Sequence, residues 1–353
     1  VSSQQLIAVS PDSPPDKFYS FGANVANWIQ ETVTNTMDSG KGYIIRGPES
    51  FSETVPAIYE SVFKGIPNNG IVTTSIGTTG TSNLIGNPYP SAIFANDFIN
   101  ANLPNISGTI YFWTHNSAIS GGNPGNSGLN HTTNDYAMYN LTGSVATSTA
   151  CLTCGAAPTG YIPSGQGFLV EAENDVTSVV FNNSMRSNTY INSDFYRSST
   201  PSTTGPTVGE THNRIWLNFS NTVGMFSQQL IGYFNSATNG YDKGYDGRHH
   251  NALNYVNFYS LIGTDMYRIQ GRTAFVETDE VPLGYTTAVA GTFTISSPQQ
   301  EGVLAEIPVY LEDKATGIFH NLKMSPYTFD TAVGTFDDRF VLRYTNTTLG
   351  APD

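Results

Sequence analysis

The densest run of side chains able to do acid–base or metal chemistry is Tyr241-Asp242-Lys243-Gly244-Tyr245-Asp246-Gly247-Arg248-His249-His250. Asp242 and Asp246 offer oxygen ligands of the kind calcium takes, but their spacing is not that of an EF-hand loop and the further acids are missing. His249 and His250 are adjacent, so on a strand they point to opposite faces and do not readily share one metal. The run therefore reads as a Gly- and Tyr-rich surface loop, with structural calcium at Asp242 and Asp246 as the alternative. Other acids occur in Glu277-Thr278-Asp279-Glu280 and Asp337-Asp338-Arg339. A glycosidase needs two carboxylates facing across a cleft, which sequence cannot place, so these are expected in solvent-facing turns, with Arg339 structural. No Gly-x-Ser-x-Gly elbow and no His-Glu-x-x-His motif is present, and the expectation is a chain without catalytic residues.

The two cysteines, Cys151 and Cys154, stand in Ala-Cys-Leu-Thr-Cys-Gly. A redox dithiol sits at a helix start, where the dipole lowers the thiol pKa, but Gly155 and Pro158 follow and no helical period appears. Zinc needs two further ligands at metal-site spacing, and none is nearby. A loop disulfide is the expected pairing.

For binding, the inventory is 20 Tyr, 20 Phe and three Trp. Aromatic rings stack on sugars or anchor interfaces, and they also fill cores. Trp216 alternates with Ile215 and Leu217 and reads as core, whereas Trp28 is undecided. Trp113 at a strand end, Tyr89, Tyr241 and Tyr245 are the candidates for ligand contact. Asp330-Thr331-Ala332 resembles an acidic-hydroxyl-aliphatic O-glycosylation site, which would put Thr331 on an exposed turn.

The elements that must position these groups are short. Apolar runs such as Thr109-Ile110-Tyr111-Phe112-Trp113, Gly167-Phe168-Leu169-Val170 and Phe340-Val341-Leu342-Arg343-Tyr344 are strands by length and type, and only Phe94 to Ile99 suggests a helical turn. With 34 Gly and 19 Pro and only 12% charged residues, the composition suits many turns between pleated segments. The expected fold is all-β: two jelly-roll-like β-sandwich domains with long Asn/Gly-rich loops, one over residues 1–200 and one over 211–353. The Ser/Thr/Pro/Gly run at 201–210 is the linker between them. An internal echo links Gly40-Lys41-Gly42-Tyr43-Ile44-Ile45 with Gly165-Gln166-Gly167-Phe168-Leu169-Val170. It reads as a tight glycine turn opening a buried strand, used twice; a phosphate loop would need a strand-then-helix setting that neither copy has.

With 15 Lys and Arg against 28 Asp and Glu, the formal charge of −13 repels a phosphate backbone, so nucleic acid is not an expected partner. No apolar run approaches the roughly 18–20 residues that span a bilayer. The amino terminus Val1-Ser2-Ser3-Gln4-Gln5 lacks the basic and apolar regions of a leader, so the chain reads as processed or excised.

Residues 307–344, with Val309-Tyr310-Leu311-Glu312-Asp313-Lys314, Pro326-Tyr327-Thr328-Phe329 and Asp338-Arg339-Phe340-Val341-Leu342-Arg343-Tyr344, resemble the sandwich module that precedes the sorting signal in many type 9 secretion substrates. Asn83-Leu84-Ile85-Gly86-Asn87-Pro88-Tyr89-Pro90-Ser91 and Ile162-Pro163-Ser164-Gly165-Gln166-Gly167-Phe168 are similar to segments of large flavobacterial surface proteins. The resemblance implies an extracellular or cell-surface protein of Bacteroidota, exported through the outer-membrane type 9 machinery, with a type C sorting domain beyond Asp353. It implies an adhesin or gliding-type role towards a surface glycan or protein; a self-associating surface subunit and a carbohydrate-binding accessory region of a larger enzyme are the alternatives. It names no ligand.

Overall fold

A computed structural model describes residues 4–52, 55, 57, 59–114, 135–147, 157–175, 178–188, 212–249 and 256–346. The all-β expectation holds, with a single α-helix among the described residues. In chain order the first unit contributes β1 (Phe18–Gly22), β2 (Asn27–Gln30), β3 (Ile44–Ile45), β4 (Val72–Ser75), β5 (Ser82–Gly86), β6 (Ile93–Phe94), α1 (Ala95–Asn102) and β7 (Ile106–Trp113). The chain leaves for β8 (Tyr136–Asn140) and β9 (Gly143–Val145) of the second unit. It returns for β10 (Tyr161–Ile162), β11 (Gly167–Ala172) and β12 (Ser178–Phe181). The compact units are thus Val1–Phe112 with Tyr161–Tyr196, and Trp113–Gly160 with Arg197–Asp353. This partition differs from 1–200 and 211–353 by placing 113–160 with the C-terminal unit, while the 201–210 segment lies outside the described residues.

In the first unit β1 is flanked by β2 and β3, and β11 by β5 and β7, all antiparallel; β4 pairs with β12 and β6 with β10. Period-two alternation puts Phe168, Val170 and Ala172 of β11 inside. Phe98 of α1 stacks on Phe181 at 4.9 Å between centroids and meets Phe168 edge-on at 5.4 Å. Asn102, fully buried, is tolerated because its amide replaces a strand neighbour: Nδ2 donates to Val180 O at 2.9 Å and Oδ1 accepts Val180 N–H at 2.8 Å.

The second unit adds β13 (Asn213–Asn221), β14 (Phe226–Tyr233), β15 (Gly247–Arg248), β16 (Val256–Ile262), β17 (Asp265–Arg272), β18 (Glu280–Thr287), β19 (Gly291–Glu301), β20 (Tyr310–Asp313), β21 (Ile318–Asn321), β22 (Tyr327–Thr331) and β23 (Gly334–Arg343). They form one large, nearly closed sheet in the order β21-β20-β23-β18-β16-β17-β14-β13-β19-β22, with β15 on β17. Its pairings are antiparallel except β14 with β17. Ile215, Leu217 and Phe219 face Phe293, Ile295, Leu283, Tyr285 and Phe340 in one core, where Phe219 stacks on Phe293 at 4.6 Å. The ends of the sheet are fastened by side chains. Asp313, fully buried, accepts Tyr327 Oη–H at 2.8 Å and two bonds from Arg339, at 2.8 and 3.0 Å, and Arg339 also donates to Asp330 O.

The β8–β9 hairpin joins this unit through long-range polar bonds: Trp216 Nε1–H donates to Ser144 O at 2.8 Å, and Arg268 Nη2 to Ala146 O at 3.3 Å. Trp216 is buried, as expected, but on the face opposite Ile215 and Leu217 of the core, where the β8–β9 hairpin meets it. Of the acids at 277–280, Glu277 is exposed as expected, whereas the other two are paired. Asp279 pairs with Arg272 at 2.6 Å and accepts Tyr233 Oη–H, and Glu280 pairs with Arg343. Thr331 is also corrected: it ends β22, is buried, and its hydroxyl meets Tyr285 Oη at 3.0 Å, so it is not the exposed acceptor that glycosylation requires. Cys151 and Cys154 lie outside the described residues.

Candidate functional site

The two glycine echoes meet at one place. β5 is bordered on one side by β11, where Gly167 pairs with Gly86, and on the other by the first turn, where Lys41 bridges Ile85. Gly42 N–H donates to Leu84 O at 3.1 Å and Gly86 N–H to Gly40 O at 2.8 Å. Gly40 and Gly165 both hold positive φ, +82° and +73°, which only glycine adopts without strain. A Cβ on Gly42 would lie 2.6 Å from Leu84 Cγ and 2.8 Å from Ile85 O, so the first turn can approach β5 this closely only without a side chain. Both glycine turns are therefore present and border the same strand, but only the second opens a strand with a buried face, β11; the first leads to the half-buried β3.

Around these turns lies a cavity of about 380 Å³. Its floor is the backbone of Gly40, Gly42, Gly86 and Gly167, with Asn87 and Tyr89 behind it; a strap from Glu60 to Asn68 makes the opposite wall. The strap has no ladder of its own and is pinned by side chains. Gln4 donates from Nε2 to Val62 O at 2.9 Å and accepts Lys64 N–H through Oε1 at 2.5 Å. Tyr59 Oη–H and Ser61 Oγ–H both donate to Val9 O at 2.9 Å, and Asn68 Nδ2 donates to Pro88 O at 2.8 Å. These bonds hold Phe63, 40% exposed, with its ring against the bare face of Gly165, where a Cβ would collide with it.

Of the expected ligand residues, Tyr89 alone lines this cavity. It is buried, its hydroxyl donates to Gly70 O at 2.6 Å, and Arg186 covers its ring at 5.5 Å. Tyr89 therefore shapes the wall. Asn87 is likewise committed, donating to Ser91, Ile162 and Pro163 carbonyls and accepting Tyr89 N–H. The charged lining is Asp38, Lys41 and Glu60. Lys41 pairs with Glu31 at 2.7 Å and lies 5.1 Å from the Tyr43 ring centroid. Burial alone would raise the Glu31 carboxyl, but its bonds with Lys41 and Ser20 outweigh that and hold it below its usual value.

Trp113 is half-buried at the end of β7, and Tyr241 and Tyr245 are half-buried residues of the second unit. Arg248 covers Tyr241 at 4.5 Å, and Tyr245 Oη bonds Ser236 Oγ at 2.7 Å. Asp242 and Asp246 are not arranged as calcium ligands. Asp242 caps its own loop by accepting Thr238 N–H and Oγ–H, and Asp246 accepts Asp242 N–H at 2.6 Å and Gly271 N–H at 2.8 Å. Burial pushes the Asp246 carboxyl up to about 7 against the opposing pull of those two backbone bonds. Among the described residues no three His, Cys, Asp or Glu side chains gather as a metal site.

Sequence reasoning missed the strap and therefore Phe63, Glu60 and Asn68. The one signal available was the glycine echo, whose two copies imply a shared neighbour.

The fold and site define an all-β protein of two compact units, one carrying a glycine-floored cavity and the other a nearly closed sheet. The chain belongs to the family described as Domain of unknown function (DUF8693), whose match covers residues 1–344. No curated protein and no solved structure matches it.

Proposed function

We propose that the chain is a non-catalytic, ligand-binding ectodomain, exported by the type 9 secretion system to the cell surface or medium, that holds a surface glycan or protein in the first unit. The observation that carries this is the 380 Å³ cavity between the two glycine turns and the strap, a concave site of the size that takes small ligands or the end of a larger one. Its glycine floor leaves the space clear of side chains, and the pinned Phe63 gives it an aromatic face. The Asn- and Gly-rich composition and the net charge of −13 suit a protein that works in solvent. No helix among the described residues is long and apolar enough to cross a membrane. Beads coated with the chain should be retained on at least one glycan- or protein-coated surface, and surface labelling of producing cells should reach it. Retention on none, or an antigen confined to the cell interior, would overturn the reading.

A second reading, a self-associating surface subunit, draws on β2. Among the described residues that strand is the edge of its small sheet, and it exposes Trp28 and Ile29 with no charged residue between Ala23 and Gln30. Concentration-dependent light scattering in the absence of ligand would favour it.

A further inference from the structure

We infer that the cavity of the first unit is selective for an uncharged glycan, one or two sugar rings of which lie against Phe63 with their hydroxyls directed at Asp38, Glu60 and Tyr43. The inference rests on the ligand-binding reading and narrows it to one chemical class.

Three observations carry it. The first is the balance of donors and acceptors. Most polar side chains in the lining already serve the protein: Asn87, Tyr89, Ser164 and Asn68 are bonded to backbone carbonyls. The groups left facing the space are chiefly acceptors. The Asp38 and Glu60 carboxylates accept no hydrogen bond from any described residue, and the Tyr43 hydroxyl accepts Asp38 N–H at 3.0 Å with its own proton free to donate. A ligand that fits must bring several donors and at least one acceptor, and a sugar hydroxyl is both at once.

The second is charge. Among the described lining residues the one cation, Lys41, pairs with Glu31 at 2.7 Å and also feels Asp38, so with Glu60 three carboxylates face a single positive charge and the site is net negative. Sulfated, phosphorylated or sialylated ligands would be repelled at short range, in a molecule whose net charge is already −13. The third is shape. A volume of about 380 Å³ is near the lower end for small-molecule sites, enough for a chain terminus and too small for a folded partner. Phe63 presents an apolar face beside those acceptors, and the C–H face of a pyranose ring with equatorial hydroxyls matches both.

A basic peptide would also supply donors, so the experiment separates the two. The full 353-residue chain is offered to an array carrying neutral, sialylated and sulfated glycans and lysine- and arginine-rich peptides. The affinity of any neutral glycan it retains is then measured by calorimetry for the wild type and three variants. Phe63→Ala and the double variant Asp38→Asn with Glu60→Gln should each weaken neutral-glycan binding at least tenfold. Trp28→Ala, an exposed aromatic on β2 that does not line the cavity, should leave it within twofold. All four side chains changed at the cavity and on β2 are surface-exposed, and an unchanged thermal midpoint confirms that the variants fold. Binding restricted to anionic glycans or to basic peptides would overturn the uncharged-glycan inference while leaving the ligand-binding reading intact. Neutral-glycan binding that is unmoved by both cavity variants would overturn the site. Retention of nothing on the array would overturn the inference and count against the ligand-binding reading as well.

Discussion

Asp246 shows how one side chain that looks like a metal ligand can instead be a buried latch. Its two oxygens hold Asp242 N–H and Gly271 N–H, and burial raises its pKa to about 7 from 3.8. The folded protein therefore keeps a proton that the unfolded chain releases. The sign follows: this group's contribution is fullest below about pH 4, and stability falls as pH rises towards 7, by up to about 1.4 kcal/mol per pH unit. Urea midpoints between pH 5 and 8 should decline through that window, flatten above it, and lose the slope in Asp246→Asn. The same series run with chelator should superimpose. Glu31 and Asp313, whose carboxyls are held low by Lys41 and Arg339 after burial, lose their contribution only as pH falls below about 4.5. They leave the window clear. The acidic loop and its tyrosines were visible in the sequence; what they bond to was not, because Gly271 and the β8–β9 hairpin that accompanies the loop are brought there by tertiary pairing.

The elements were more legible than the residues. Strand composition and turn frequency led to the all-β class, and the short apolar turn after Phe94 became α1. The strap from Glu60 to Asn68 has neither alternation nor helical spacing, so no local pattern announces it; its position depends on Gln4, nearly 60 residues away. The glycines supply a test with an internal control. Gly42→Ala places a Cβ against Leu84 and the Ile85 carbonyl and should cost about 1–3 kcal/mol, read as a lowered thermal midpoint. Gly47→Ala, with nothing within 4 Å of the new atom, should change it by less than about 0.5 kcal/mol. Equal effects at both positions would remove the argument that close approach to β5, rather than turn flexibility, selects glycine in the echo.

For the whole molecule, the large sheet of the second unit depends on the seam between its ends. Arg339 and Tyr327 converge on the fully buried Asp313. Asp313→Ala strands Arg339 in a half-closed site and should cost about 3–5 kcal/mol. Amide exchange in β22 should quicken more than in β13; uniform acceleration would mean the seam has no local role. The sequence marked Arg339 as structural, yet offered no partner, since Asp313 and Tyr327 lie on other strands.

The first unit is written in two pieces, with residues of the second unit between them. A ribosome that has released β5 must still make some eighty residues before β11 emerges to lie beside it. Until then β5 has one side open and the pocket lacks the Gly167 part of its floor. Synthesis order and assembly order therefore part company: the first unit can close only once its second piece, Tyr161–Tyr196, has been made.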